Sequence, residues 1–286
     1  MISDITLGQY FPGFSVLHRL DPRTKIIATM LFIVTVFLAQ NPASFLFLLV
    51  FVIGLVLSSR LSVPVLIKGI KPIVFILIFT SFINLFLTKG SGDPLLSFYF
   101  INIYTEGIYR AIFMSLRVIL LINGTSILMS YTTSPISLTD GIESLLSPLK
   151  KIKVPVHSFA MMMSIALRFI PTLVEETEKI MNAQKSRGAD FSTGGLVKRA
   201  KSLIPLLVPL FVSSFKRADE LATAMECRCY RGDKNRTKLV KLEYRAIDFV
   251  FIAIYIVLLG AIITGRILPY TFTTDSIAYN IIFFKI

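Results

Sequence analysis

Apolar residues in this chain come in long runs rather than in alternation. A run of roughly 20 apolar residues is what a helix needs to cross the hydrocarbon of a bilayer, and five runs approach that length. The first, Pro22 to Ala39, opens on Asp21, which suits the N-cap, and carries Pro22 at the first helical position, where its missing N–H costs nothing. Gln40-Asn41-Pro42 then reads as a turn, and Pro42 opens a second run to Leu57, so the two predict a tight helical hairpin. Pro72 to Leu87, Gly107 to Met129 and Ile247 to Thr264 are the third, fourth and fifth. The expected fold class is all-α, a polytopic membrane protein with about five transmembrane helices.

Between the fourth and fifth runs the pattern changes to helical amphipathicity. From Phe169, residues Ile170, Leu173, Val174, Ile180 and Met181 fall on one face, with Glu175, Glu176 and Glu178 away from it. This helix is expected to stop at Gly188, a residue suited to the left-handed position after a helix end, with Arg187 in the last turn favoured by the helix dipole. A second such helix reads from Pro209 to Arg228, with Phe211, Val212, Phe215, Ala218, Ala222 and Met225 on one side and Lys216, Arg217 and Glu220 on the other. Laid over each other at an offset of 41, the two stretches match: Glu178 on Asp219, Ile180 on Leu221, Met181 on Ala222, Ala183 on Ala224 and Arg187 on Arg228. Two readings stay open at this point, a chance likeness between amphipathic helices and a pair of equivalent docking elements. The second would suit a partner with two similar sites, such as a dimeric or pseudo-dimeric motor.

Charge orients these elements, because Lys and Arg in short loops are retained on the cytoplasmic side. His18, Arg19, Arg23 and Lys25 place the N-terminus inside, and Arg60, Lys68 and Lys71 place the second loop inside. Lys89 to Glu106, poor in basic residues, reads as external. The expected organisation is therefore residues 1–131 as a region of four spans, 132–245 as a cytoplasmic region, and 246–286 as the last span with an external tail. The basic run Lys234, Arg236, Lys238, Lys241 and Arg245 would mark the inner membrane edge, where anionic lipid attracts it. The first apolar run is preceded by about two dozen mixed residues, a poor fit to a cleaved signal peptide.

Composition agrees with a membrane protein: 54% of the 286 residues are apolar and 16% charged. The net charge of +13 sits beside apolar runs, which points to the lipid bilayer and not to nucleic acid. Cys227 and Cys229, the two cysteines of the chain, imply a reducing compartment and read as small packing residues more readily than as a metal site. No phosphate-cradling Gly-rich loop ends in Lys-Ser or Lys-Thr, and His18 and His157 lack a nucleophile and acid at a recognisable spacing. No catalytic residue, cofactor or metal is expected. Arg110 lies near a span end, where it can snorkel, whereas Arg117 lies nearer mid-membrane and is open to a functional or a structural role. Asn84 and Asn123 suit hydrogen bonds between helices. Arg117 alone would support a channel or secondary transporter with its own mid-membrane site.

The chain resembles the transmembrane T component of energy-coupling factor transporters, relatives of ABC importers. The resemblance rests on Leu17-His18-Arg19-Leu20-Asp21-Pro22-Arg23-Thr24-Lys25, on Ser186-Arg187-Gly188, and on Asp219-Glu220-Leu221 through Ala224-Met225-Glu226-Cys227-Arg228-Cys229-Tyr230-Arg231-Gly232. In that family two short motifs, usually Ala-Arg-Gly, end two coupling helices that dock on two cytoplasmic ATPases. Here they read Ser186-Arg187-Gly188 and Cys227-Arg228-Cys229, keeping both arginines. The resemblance implies an ATPase homo- or heterodimer that uses ATP and Mg, and a separate membrane subunit, the S component, that binds a vitamin or other micronutrient. It implies contacts to that subunit near Met161, Met162 and Met163 and near Leu203, Leu206 and Leu207, and a cell-membrane location with the N-terminus and coupling region cytoplasmic.

Overall fold

A computed structural model describes residues 10–88, 96–98, 101–189, 201–232 and 242–267, with Phe191, Gly195 and Val197 between. The chain divides into two compact units, one of Tyr10–Ser134 with Leu242–Ile286, the other containing Pro135–Lys241. Both are helical, which in lipid follows from the need to satisfy every backbone polar group within the segment.

In the first unit α1 (Pro22–Leu38) starts as its sequence predicts. The Asp21 side chain accepts the Arg23 N–H at 2.8 Å and Pro22 occupies the first turn. α2 (Pro42–Ser59) follows and ends on Arg60 in the left-handed region, φ 54°. The third run is longer than the expected Pro72–Leu87. α3 (Val63–Ile70), a 3₁₀ turn at Lys71–Ile73 and α4 (Val74–Leu87) form one apolar stretch from Pro64 to Leu87. Pro72 stands within the first residues of that 3₁₀ turn, where its lost donor breaks nothing. A short antiparallel hairpin, β1 (Leu96–Phe98) with β2 (Ile101–Ile103), then leads into α5 (Thr105–Thr125), pairing Leu96 with Ile103 and Phe98 with Ile101. α5 widens into a π-helical segment at Ser126–Tyr131. The last helix of this unit, numbered α9 in chain order, is Ala246–Ile267.

The core of this unit is packed from α1, α2, α5, the π segment and α9: Phe32 and Val36, Leu48, Leu120, Ile127 with Leu128 and Tyr131, and Tyr255 with Ile262 are buried together. Helices in lipid gain little from the hydrophobic effect, so close approach and interhelical hydrogen bonds must hold them. Both occur here. A Cβ on Gly124 would overlap the fully buried Phe32 ring, so only glycine lets α5 lie this close to α1. The Thr35 hydroxyl shares a hydrogen bond with the Tyr255 hydroxyl at 2.7 Å, and Asn41 Nδ2 donates to the Gly265 carbonyl at 2.7 Å.

The second unit holds α6 (Pro135–Leu145), a 3₁₀ turn at Ser147–Ile152, α7 (Val156–Ser186) and α8 (Ile204–Cys227). Both long helices begin earlier than their amphipathic patterns predict, well before Phe169 and Pro209, and run through the internal prolines Pro171 and Pro209. Among the described residues five helical stretches are long and apolar enough to cross a membrane: Pro42–Ser59, Pro64–Leu87, Thr105–Tyr131, Val156–Ser186 and Ala246–Gly265. α1, at 17 residues, is shorter than these, whereas α7, which the sequence reading places in a cytoplasmic region, is among them. The protein is an all-α polytopic membrane protein. The basic positions from Lys234 to Lys241 lie outside the described residues.

Candidate functional site

The two helices matched at an offset of 41 end in the same way down to individual backbone bonds. At the end of α7, Arg187 N–H reaches the Ala183 and Gln184 carbonyls at 3.3 and 3.0 Å, Gly188 N–H the Lys185 carbonyl at 2.9 Å, and Ala189 N–H the Gln184 carbonyl at 3.0 Å. At the end of α8, Arg228 N–H reaches Ala224 and Met225 at 3.3 and 3.1 Å, Cys229 N–H Glu226 at 2.8 Å, and Tyr230 N–H Met225 at 3.1 Å. Each donor and acceptor of one set is the counterpart of the other. Both ends are Schellman caps, which use the otherwise orphaned last carbonyls of a helix and require the residue after the cap to be left-handed. Gly188 meets that requirement freely at φ 87°, and Cys229 meets it at φ 56°, a conformation that costs a residue with a Cβ roughly 1 kcal/mol. Ser186, Arg187, Gly188, Cys227, Arg228 and Cys229 are all exposed, so each cap projects one guanidinium outward from a rigid turn.

The two helices also meet at equivalent positions. Arg217 Nη2 lies 2.5 Å from Glu176 Oε2, and these residues are themselves 41 apart. Ser213 donates its hydroxyl to the other carboxylate oxygen. Glu176 and Arg217 are 20% and 36% exposed, so the pair is partly screened by water and is worth about 1 kcal/mol of coupling. A double-mutant cycle with Glu176→Ala and Arg217→Ala, read by thermal unfolding in detergent, should return that coupling, and the exchange Glu176→Arg with Arg217→Glu should recover most of what either single charge reversal loses.

Apolar surface borders this junction. Along α8, Leu203, Leu207, Val208, Phe211, Val212 and Phe215 are 43–65% exposed, with Phe211 and Phe215 in edge contact at 4.7 Å. Met162 and Met163 on α7 are 57% and 40% exposed. Of the apolar residues singled out in sequence, Leu206 on α8 is buried and Met161 on α7 is half-buried. Both cysteines are free thiols, and among the described residues no cluster of three His, Cys, Asp or Glu side chains is placed to hold a metal ion.

The residues suspected within the membrane have structural partners. Arg117 Nη2 donates to the Ala39 carbonyl at 2.7 Å and its guanidinium lies over Phe45 at 5.4 Å. It therefore caps the C-terminal end of α1, where carbonyls lack helical donors and a positive charge is favoured. Asn84 and Asn123 donate to Thr80 and Ile119 of their own helices, at 2.8 and 3.0 Å, rather than between helices. The reading missed Asp248. It is 1% exposed and its two oxygens accept the N–H groups of Asp21 and Arg245, each at 2.8 Å. Beside it Lys25 Nζ donates to the Thr132 carbonyl at 2.8 Å and to Thr133 Oγ1 at 3.2 Å, and Arg23 Nη2 donates to the Leu242 carbonyl at 3.0 Å. The charged motif preceding the first span is thus a clasp for the starts of α1 and α9 and the end of the π segment. An acid at the third position of an otherwise apolar run was its one visible signal.

Comparison with known proteins bears on both features. The family described as "Cobalt transport protein" matches residues 13–239. A protein of Ruminiclostridium cellulolyticum is 53% identical over 263 residues, covering 92% of this chain and 97% of its own, and one of Clostridium kluyveri is 50% identical over 267 residues, covering 93% and 98%. One of Bacillus subtilis is 50% identical over 258 residues, covering 90% and 97%. All three carry the name "Energy-coupling factor transporter transmembrane protein EcfT". This chain belongs to the EcfT family. The family match spans both capped helix ends and the charged motif that precedes α1.

Proposed function

We propose that this chain is the energy-coupling membrane subunit of an importer for a vitamin or similar micronutrient. It joins two cytoplasmic ABC-type ATPases, which use ATP and Mg, to a separate membrane-embedded S component that binds the cargo. Arg187 and Arg228 each enter a groove of one ATPase. The observation that carries this reading is the repetition of one capped helix end at an offset of 41, because two equal projections are what two equal receptors require. A guanidinium suits such a contact: it is charged throughout a catalytic cycle and offers a fork of donors to carboxylates or backbone carbonyls. Motion of the ATPases would be passed along α7 and α8, held at the Glu176–Arg217 contact, to the apolar surface around Met162, Met163, Leu203 and Leu207, where the S component rests. A Met-rich apolar surface adapts to a partner that tilts or is exchanged.

In this reading the protein sits in the cell membrane with its N-terminus and residues 132–245 on the cytoplasmic side and its C-terminal tail outside. The second half of α7 carries Glu175, Glu176, Glu178, Lys179 and Lys185, which favours water around it, while its apolar first half is covered by the S component or the bilayer surface.

The cysteines beside Arg228 provide the test. Cys227 and Cys229 are the chain's two thiols and both are exposed, so a membrane-impermeant maleimide should label them in the isolated chain. In complexes purified from native membranes through a tag on this chain, two ATPases should accompany it and the labelling rate should fall at least about tenfold. Absence of ATPases, or labelling undiminished in their presence, would overturn the docking assignment.

A further inference from the structure

One cavity lies within the unit that holds α1 and α9. It is a groove of about 300 Å³ between α1 and α9, walled by Ala28 and Leu31 on one side and Phe249, Ile252 and Ile256 on the other, with Tyr244 at its head. Both helices begin at that head, because the Asp21 N–H that precedes α1 is held by Asp248 near the start of α9. The groove therefore has one polar end and one apolar end. Three arginines belong to the segments that lead into and begin α1 and α9 at the polar end. Arg23 lies over the Tyr244 ring at 5.2 Å, and Arg19 and Arg245 are exposed. Of the carboxylates nearby, Asp21 is paired with Arg23 at 3.8 Å and the buried Asp248 accepts two backbone N–H groups, so the charge turned to solvent is that of the exposed Arg19 and Arg245, with Glu243 the exposed acid of the segment Leu242–Arg245. Two helix N-termini add partial positive charge at the same level. Tyr244, 49% exposed with an apolar ring and a polar tip, is the residue type that settles at the boundary between hydrocarbon and water.

An apolar slot of this kind, opening beneath a cationic, aromatic rim at the membrane boundary, matches a molecule with a long acyl chain and a negative head. We infer that the α1–α9 groove is a binding site for an acidic phospholipid, its acyl chain lying between Ala28 and Ile252 and its phosphate held by Arg19 and Arg245. A lipid so placed would lie against the Asp21–Asp248 clasp and bridge the starts of two helices that are distant in sequence.

The chain contains no tryptophan, so a single introduced one reports its surroundings without background. The full-length protein carrying Ile252→Trp is placed in vesicles of phosphatidylcholine mixed with brominated phosphatidylglycerol, or with brominated phosphatidylcholine. Bromine quenches indole fluorescence on contact. Half-maximal quenching should need at least about fivefold less brominated phosphatidylglycerol than brominated phosphatidylcholine, the preference expected of one basic residue near an anionic head. Arg19→Gln with Arg245→Gln, which leaves Arg23 and the clasp intact, should abolish the preference. Phe47→Trp, on the exposed face of α2, should show none in either background. Equal quenching by the two lipids at position 252, a preference that survives the arginine substitutions, or quenching by neither because another part of the protein covers the groove, would each overturn the proposal. None of these results depends on the ATPase assignment.

Discussion

A chain carrying Arg187→Glu together with Arg228→Glu is expected to fold and insert normally yet to purify without its ATPases. Both side chains are exposed, and a reversed charge at a helix C-terminus costs about 0.3–1 kcal/mol through the dipole, which a folded chain tolerates. The caps themselves are built from backbone bonds of Ala183 to Ala189 and of Ala224 to Tyr230, which survive the change. Docking is affected far more. A hydrogen bond to a charged group contributes about 1.5–3 kcal/mol net, so removing two costs at least about 3 kcal/mol, and placing glutamates against receptors selected for guanidinium adds repulsion. At about 1.4 kcal/mol per tenfold, the affinity for the ATPase pair should fall more than about a hundredfold. Either single reversal should leave one end engaged, because the second contact forms at high effective concentration once the first is made. The measurement is ATPase retained per tagged chain, with ATP-driven uptake in vesicles alongside. Retention of both ATPases by the double variant would sink the assignment of these arginines.

The repeat behind that prediction was legible in sequence because a Schellman cap writes itself locally. Gly188 marks the left-handed position, and Arg228 recurs 41 residues after Arg187. The structure then extends the likeness from side-chain types to hydrogen bonds. Helix ends set by Asp21-Pro22 and Asn41-Pro42 were legible for the same reason, each being a local signal. Elements that depend on distant packing were not. α7 and α8 begin before their amphipathic stripes do, since an apolar surface awaiting a partner shows no polar face to reveal its period. α6, beside α7, is 11 residues long, too short to stand out against the long apolar and amphipathic runs on either side of it. The β1–β2 hairpin lies in a loop where an expectation built on spans looks only for charge. Arg117 was visible as a costly charge, but that its partner is the carbonyl of Ala39 is a fact of the α1–α5 packing that no spacing encodes.

Asp248 is the strongest case of the same limit and carries the second large effect. Hydropathy discounts one acid at the edge of an apolar run, yet this carboxylate closes the N-terminal clasp across 227 residues of chain. Asp248→Ala should lower unfolding stability by about 2–5 kcal/mol: two buried N–H groups, those of Asp21 and Arg245, would lose their acceptors at about 1–3 kcal/mol each. The buried Lys25 would in addition lose the carboxylate charge beside it. Asp248→Asn separates these contributions. Its amide keeps one acceptor oxygen and the same shape but not the charge, so it should fall between Ala and the wild type, near half the loss. For a chain of this size about 2–4 °C accompanies each kcal/mol, and the alanine variant should melt roughly 10 °C lower by circular dichroism in detergent. Adding Arg117→Met, which uncaps α1 at its other end, should give a further and additive loss, because the two contacts share no partner. If Asp248→Ala melts within a degree or so of the wild type, water already satisfies those two N–H groups, and the N-terminal motif owes its charge to orientation in the membrane instead of to the clasp.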